Sequence, residues 1–311
     1  MAGWLAGFSA QAQTITETFG TGTNAFSIDF VTIGSPGNAA DTTGVPNPVG
    51  AVSYTYNLGK FEVSREMILK ANAAAGLGIT MYDMTSYGGN GLNKPATGVS
   101  WNEAARFVNY LNTSQGYQAA YQFTTSGANA HLTLLDAGKY NGNNRFRHKD
   151  AYYFLPTVDE WYKGAYGSPT GVWYDYATGS NTVPTAVASG TDPGTVVYKR
   201  SYFEGPADVD AAGGLSAYGT MGQGGNAWEW AETAYDGLND SPLDNRELRG
   251  QSWGNLQGGP SSTRLDFDND PMIETYNLGF RVASAPEPSS ASLMILGAGA
   301  LLALKRRRSA V

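Results

Sequence analysis

Apolar and polar residues alternate near the start of the chain, between breaks that are rich in Gly and Pro. Residues 26–31 and 52–56 each place an apolar side chain at every second position. A period of two is typical of strands that bury one face. The pattern therefore predicts short β-strands within residues 26–63.

Three later segments have the helical period instead. Apolar residues recur at helical spacing after Ser64, and this run ends at a glycine. Ser100 opens a second run with Glu103 three residues later, and Thr157 opens a third with Glu160 in the same relative position. Ser or Thr followed at this distance by Glu is the signature of a capping box. These segments predict three helices.

Residues 167–214 are rich in Gly, Ser, Thr, Pro, Ala and Asp and contain only scattered valines. This composition indicates long irregular connections. No sequence repeat with a period of about 20–50 residues is present, which disfavours solenoids and propellers. We therefore predict a single α+β domain.

The first residues have the composition of a processing segment. Residues 1–12 are apolar and end in Ala-Gln-Ala, the small-x-small pattern of a signal-peptidase site. The segment is short and contains no Lys or Arg. It predicts a signal peptide that is truncated at its start.

The last 26 residues, 286–311, also form a distinct segment. Pro286-Glu287-Pro288 precedes an apolar run over residues 291–304 and then four consecutive basic residues at 305–308. This order resembles the PEP-CTERM sorting signal, which an exosortase recognises and processes. The resemblance implies transient anchoring in the inner membrane and export to the cell surface or extracellular matrix.

Composition and charge remove several classes of chemistry. The sequence has 311 residues, no Cys, two His and a formal net charge of −7. Disulfides, thiolate metal sites and three-histidine metal centres are therefore excluded. The segment 286–311 carries four basic residues and one acidic residue, so the rest of the chain has a net charge of −10. Such an acidic domain is a poor partner for nucleic acid and suits divalent cations better.

Six phrases along the chain occur in the order typical of one family. They are YNLGKFEVS at 56–64, VSWNEA at 99–104, LPTVDEW at 155–161, GNAWEW at 225–230, LRGQSW at 248–253 and LGFRV at 278–282. The chain resembles the formylglycine-generating enzyme, or sulfatase-modifying factor, family over residues 28–284. The resemblance implies a single C-type lectin-like α+β domain, here assigned to residues 13–285, that is rich in loops and has little regular secondary structure.

The family resemblance also implies a site to examine. In that family, copper held by two cysteines oxidises a substrate cysteine to formylglycine, and those cysteines would fall near Asn255 and Pro260. Neither residue can bind copper(I), which soft thiolates select. We therefore expect no copper and no oxidase activity. If the family pocket serves a different reaction, the candidate catalytic residues are Ser252, Asn255, Arg264 and Asp266.

Calcium is a second implication of the resemblance. Carried over to this chain, one family calcium site falls on Gly222, Gly225, Ala227 and Glu229. Backbone carbonyls and a carboxylate are suitable ligands for Ca²⁺. Gly222 supplies no side chain, so the predicted calcium ligands are Gly225, Ala227 and Glu229, and one ligand must come from water or a neighbour.

Residues 266–270 place carboxylates at alternate positions, like the opening of a calcium loop. Pro271 stands where an EF-hand requires Gly, and Asn277 stands where it requires Glu. An exposed acidic strand edge or turn is the preferred interpretation. A pair of acid and base catalysts in this segment stays open as an alternative.

Two arginines and five tryptophans are expected to have structural roles in the core. Arg249 and Arg281 are flanked by apolar residues, which predicts buried bidentate pairs with carboxylates such as Glu229 or Glu160. Tryptophans in the family phrases are expected to fix loops to the core, with each indole N–H bound to a partner. These tryptophans are Trp101, Trp161, Trp228, Trp230 and Trp253.

The leading functional hypothesis is an exported lectin-like binding module whose ligand is an exopolysaccharide or a surface protein. The alternative is an enzyme of the same family with a divergent active site that uses no cysteine. A purely structural matrix protein is a third interpretation. A fold by itself does not decide among them.

Overall fold

The computed structural model describes residues 14–125, 131–255, 260–264 and 267–286. Within these residues, three α-helices and several short strands lie among long loops, which confirms the predicted loop-rich α+β fold. The predicted signal peptide, Asp266 and all of the sorting segment except Pro286 lie outside the described residues. No helix within the described ranges is both long enough and apolar enough to cross a membrane.

The elements have the following bounds in chain order. The helices are α1 (Arg65–Ala75), α2 (Trp101–Ser114) and α3 (Val158–Tyr166). The strands are β1 (Thr14–Phe19), β2 (Phe26–Ile33), β3 (Tyr56–Gly59), β4 (Gln122–Phe123), β5 (Leu132–Thr133), β6 (Tyr153–Phe154), β7 (Thr185–Ala186), β8 (Thr195–Val196), β9 (Trp228–Ala234), β10 (Arg246–Arg249), β11 (Phe267–Asn269), β12 (Leu278–Gly279) and β13 (Ala283–Ser284).

Two sheets carry most of the strand pairing. The first has the order β1-β2-β3-β13-β6, and all of its pairings are antiparallel. The second has the order β11-β10-β9-β12, with β12 parallel to β9. The acidic segment 267–269 is therefore the edge strand β11, as its preferred interpretation predicted.

The helix ends lie where the local sequence places them. Ser100 with Glu103 and Thr157 with Glu160 both form complete capping boxes at the starts of α2 and α3. Helix α1 ends at Gly76, which has a left-handed backbone conformation. Glycine at this position is the usual end of a helix because it adopts positive φ without steric cost.

Helix α2 forms the centre of the main core. Phe107 of α2 stacks on Phe26 of β2 with ring centroids 5.9 Å apart, and it meets Phe280 edge-on at 5.7 Å. All three rings are buried. Because Phe280 lies between β12 and β13, this packing joins the beginning and the end of the domain to one helix.

The strand predicted over residues 52–56 is wrong except for its last residue, Tyr56. The carbonyl of Val52 accepts a hydrogen bond from the N–H of Gly37, and the N–H of Val52 donates to the side chain of Asn38. These loop contacts use the backbone groups that a sheet would need. The alternating sequence pattern therefore belongs to a loop that pairs with another loop, in which Val52 and Tyr56 are buried and Tyr54 is exposed.

Candidate functional site

A buried ion pair joins the GNAWEW stretch to the end of the domain. Arg281 Nε donates to Glu229 Oε2 and Arg281 Nη2 donates to Glu229 Oε1, both at 2.6 Å. Trp161 Nε1 donates to the same carboxylate at 2.7 Å. All three side chains are fully buried. The bidentate pair predicted for Arg281 is confirmed.

Glu62 is a second buried carboxyl close to this pair. It accepts hydrogen bonds from Asn226 Nδ2 at 2.6 Å and from the Ala227 backbone N–H at 3.0 Å. Burial, reinforced by the negative charge of Glu229 and opposed by Arg281, raises the pKa of Glu62 to about 8. Glu62 therefore holds the loop before β9 and keeps a proton at neutral pH.

The residues predicted to bind calcium lie in this same loop. A Cβ at Gly222 would lie 3.1 Å from Glu62 Oε2, so the Glu62 carboxyl fills the space in front of the missing side chain. Both oxygens of Glu229 already accept N–H groups. A calcium ion bound there would have to displace these donors, and as arranged the residues do not fit the ion. The calcium ligands predicted from the sequence, Gly225, Ala227 and Glu229, stay a prediction for metal analysis to test.

Ser252 and Asn255 lie in one turn and contact each other. Asn255 Oδ1 accepts the backbone N–H of Ser252 at 3.0 Å and its hydroxyl at 2.7 Å. An amide oxygen orients a hydroxyl but does not remove its proton, and a serine nucleophile needs a base within hydrogen-bond reach. The turn therefore holds Asn255 in place.

Arg264 lies beside two aromatic rings of the second sheet. Its guanidinium carbon is 5.7 Å from the Trp228 ring centroid and 6.0 Å from that of Phe267. These distances are in the range of cation–π contacts. Burial lowers the pKa of Arg264. The predicted site residue thus contacts the aromatic pair formed by β9 and β11.

A cavity of about 200 Å³ opens next to Asn255. Its aromatic walls are Trp228 and Phe267, whose rings meet edge-on with centroids 5.2 Å apart. Its polar lining comes from Asn255, Asp268, Asn269, Thr275 and Asn277. Apolar walls with a few convergent polar groups are the usual composition of a small-molecule site. We refer to this site below as the Trp228 cavity.

Arg147 is a charged residue with a side chain only 15% exposed, and sequence analysis missed it. Its guanidinium lies 3.3 Å from Glu160 and 3.2 Å from Glu232, and it stacks at 4.0 Å over the ring of Phe154. Burial lowers the pKa of Arg147, but the two carboxylates more than offset this and raise it. The residue also lines a cavity of about 370 Å³. The run of basic residues around it gave no signal that one of them is buried.

The contacts of Arg249 with the described residues do not include the predicted bidentate pair. Both terminal nitrogens of Arg249 donate to the carbonyl of Val45 at 3.0 Å, and the Glu247 carboxylate lies 3.9 Å away. The ring centroids of Trp161 and Tyr162 are 5.5 and 5.4 Å from the guanidinium. Among the described residues, a distant loop carbonyl and two aromatic faces thus contact this guanidinium more closely than the Glu247 carboxylate does.

Comparison with known proteins identifies the domain. Residues 46–286 match the sulfatase-modifying factor enzyme 1-like domain. The chain belongs to the sulfatase-modifying factor family. Residues 284–309 match the PEP-CTERM protein-sorting motif, which indicates export through exosortase processing. No curated protein matches the chain.

Solved structures share the fold of this sulfatase-modifying factor domain at low identity. Treponema denticola variable protein 1 is 17% identical with a TM-score of 0.60, and the match covers 88% of this chain and 99% of that one. CarF is 18% identical with a TM-score of 0.56, covering 84% and 99%. PvdO from Pseudomonas aeruginosa is 16% identical with a TM-score of 0.54, covering 87% and 98%.

This member of the sulfatase-modifying factor family differs from the copper site that the resemblance implies. The sequence contains no cysteine, and Asn255 and Pro260 stand near the expected cysteine positions. Asn255 lines the Trp228 cavity and Pro260 follows residues outside the described ranges. Asn255, which the sequence comparison predicted to lie near one of the family cysteines, presents an uncharged amide to this cavity.

Proposed function

We propose that this chain is an exported lectin-like binding module whose ligand is a polysaccharide of the cell surface or extracellular matrix. The Trp228 cavity is the observation that carries the proposal, because aromatic walls and amide groups converge there. The sorting motif supplies the route of export.

A sugar ring suits this cavity for a physical reason. Its C–H bonds form apolar faces, while its hydroxyls lie around the edge. The Phe267 side chain is 54% exposed and offers a flat apolar surface for such a face. The amides of Asn269 and Asn277 can each donate and accept hydrogen bonds, as a hydroxyl does. The cavity therefore complements both parts of a sugar.

The polar groups of the site favour binding over turnover. The Ser252 hydroxyl donates to Asn255, which cannot act as its base. The Asp268 carboxylate accepts a hydrogen bond from Asn245 Nδ2 at 2.6 Å.

Isothermal titration of the full chain with exopolysaccharide extracted from cells that make it tests the proposal. Phe267→Ala is expected to lower the affinity about tenfold, the equivalent of one lost aromatic contact. Tyr117→Ala is the matched control. Tyr117 is 43% exposed and stacks on Tyr152 next to β6, in the other sheet.

The control variant should bind as the unmodified chain does. Equal affinity of the Phe267→Ala variant and the unmodified chain would overturn the proposed site. Release of new reducing ends from the polysaccharide would favour the alternative, an enzyme with a divergent active site. Absence of both saturable binding and turnover would favour a structural matrix protein.

A further inference from the structure

Five aromatic side chains form a surface cluster, which we call the aromatic stack. Its members are Tyr82, Tyr87, Tyr202, Phe203 and Tyr276. The rings of Phe203, Tyr87 and Tyr276 are nearly parallel, with successive centroids 6.1 and 4.6 Å apart. Tyr82 and Tyr202 meet this column edge-on. Because Tyr87 lies between Phe203 and Tyr276, the cluster presents the outer face of Phe203 and the edges of the other rings.

Close backbone contacts fix the stack in position. A Cβ at Gly88 would lie 2.2 Å from the carbonyl oxygen of Glu204, and one at Gly205 would lie 1.9 Å from that of Tyr87. Both glycines have positive φ, at 83° and 69°. Only glycine permits this approach, which packs the loops of Tyr87 and Phe203 backbone against backbone. Rings held in this way cost little ordering entropy when a ligand binds.

Two backbone segments connect the stack to the Trp228 cavity. Tyr276 belongs to the stack, and the next residue, Asn277, lines the cavity. The ring of Tyr202 covers Gly254, where a Cβ would lie 2.3 Å from the ring, and the next residue, Asn255, lines the cavity. The two surfaces therefore flank the same two backbone segments, and one extended ligand would cross these segments to reach both.

The charges around the stack argue for an uncharged ligand. Phe203 is 73% exposed, so its ring is available to solvent. Hydrogen bonds from Thr85 and Asn90 lower the pKa of Asp83 to about 2, which keeps this neighbouring carboxylate ionised. Glu204 adds a second exposed carboxylate, which lies 3.8 Å from Arg200. The net charge of −10 over residues 1–285 makes the domain as a whole repel an anionic polymer.

We propose that the aromatic stack is a second sugar-binding subsite, so that one neutral polysaccharide chain occupies the Trp228 cavity and the stack together. This inference rests on the proposed function of the cavity and names its ligand class. It requires affinity to rise with chain length, because only a long fragment contacts both surfaces.

Partial acid hydrolysis of the extracted exopolysaccharide, followed by separation by size, gives short and long fragments. Titration with these fragments tests the arrangement. The full chain is titrated with short and long fragments, alongside Phe203→Ala, Phe203→Tyr and Phe267→Ala variants. Phe203→Ala should lower the affinity for long fragments about tenfold and leave short fragments unaffected. Phe203→Tyr keeps a ring and should restore the affinity, whereas Phe267→Ala should weaken binding of both sizes.

Other outcomes separate the two proposals. If Phe203→Ala binds long fragments as tightly as the unmodified chain does, the second subsite is overturned while the cavity stands. If fragments of neither size bind the unmodified chain, the proposed function itself fails. If sedimentation shows that the unmodified chain dimerises and the Phe203→Ala variant does not, the stack is a contact between two copies and the sugar subsite is wrong.

Discussion

Glu62 lies directly against Gly222, since a Cβ at position 222 would approach Glu62 Oε2 to 3.1 Å. The backbone at Gly222 also has a φ of 85°, which residues other than glycine rarely adopt. Space and conformation together therefore restrict this position to glycine.

Gly222→Ala should lower the free energy of unfolding by about 2–3 kcal/mol, because it adds crowding to backbone strain. Gly116→Ala is the matched control, with a φ of 78° and open space around its Cβ. We expect the control to lose about 1 kcal/mol in urea unfolding. Equal losses in the two variants would mean that Glu62 does not crowd the site.

Stability should fall as the pH rises through the titration of Glu62. Its pKa is about 8 in the folded domain, against an ordinary value of 4.5. Between these values the folded state holds a proton that the unfolded chain has released. The free energy of unfolding therefore decreases with rising pH, by about 1 kcal/mol per pH unit, and the contribution is fully lost above pH 8.

Urea unfolding of the Glu62→Gln variant from pH 5 to pH 9 tests this slope. The variant should show a flatter dependence, while Glu66→Gln on the exposed face of α1 should not change it. Burial also raises the pKa of Glu247 to about 7, so some slope should persist below that pH. An unaltered slope in Glu62→Gln would contradict the assignment.

Removal of Arg281 should be among the most destabilising substitutions in the domain. Arg281→Met leaves the buried Glu229 carboxylate without its positive partner, and such a loss costs about 3–5 kcal/mol. Lys139→Met is the control, since Lys139 lies 3.0 Å from Asp136 at an exposed position and should contribute less than about 1 kcal/mol. Similar losses for the two variants would show that burial gives the Glu229 pair no special weight.

Elemental analysis of the purified chain tests the calcium prediction. Because the Glu229 carboxylate already accepts hydrogen bonds from Arg281 and Trp161, we expect less than one calcium per chain after gel filtration. A chelator should then leave the melting temperature unchanged. One calcium per chain that resists gel filtration, with a lower melting temperature in chelator, would instead support the site predicted from sequence.

The helices could be predicted because their signals are local. Ser100 and Glu103 are three residues apart, and each directly satisfies a backbone group of the other. The Arg281–Glu229 pair was also predictable, since a buried arginine favours a carboxylate partner and both residues lie in the family phrases. Arg249 met the same rule and instead binds a carbonyl 204 residues away, which no local pattern encodes.

The candidate surfaces could be predicted only in part. Asn255 was identified through the family phrase that precedes it, but Phe267 reaches the same cavity from another strand. Tyr87 and Tyr276 stack at 4.6 Å although 189 residues separate them in the sequence. Aromatic residues are common in cores and loops alike, so their sequence positions do not reveal which of them meet at the surface.

The last strand, β13, lies inside the first sheet, held by β3 on one side and β6 on the other. Pro286, where the sorting segment starts, follows Ser284 by only two residues. Tension applied through a C-terminal tether would therefore load an interior strand, and peeling it away would break pairings on both of its edges.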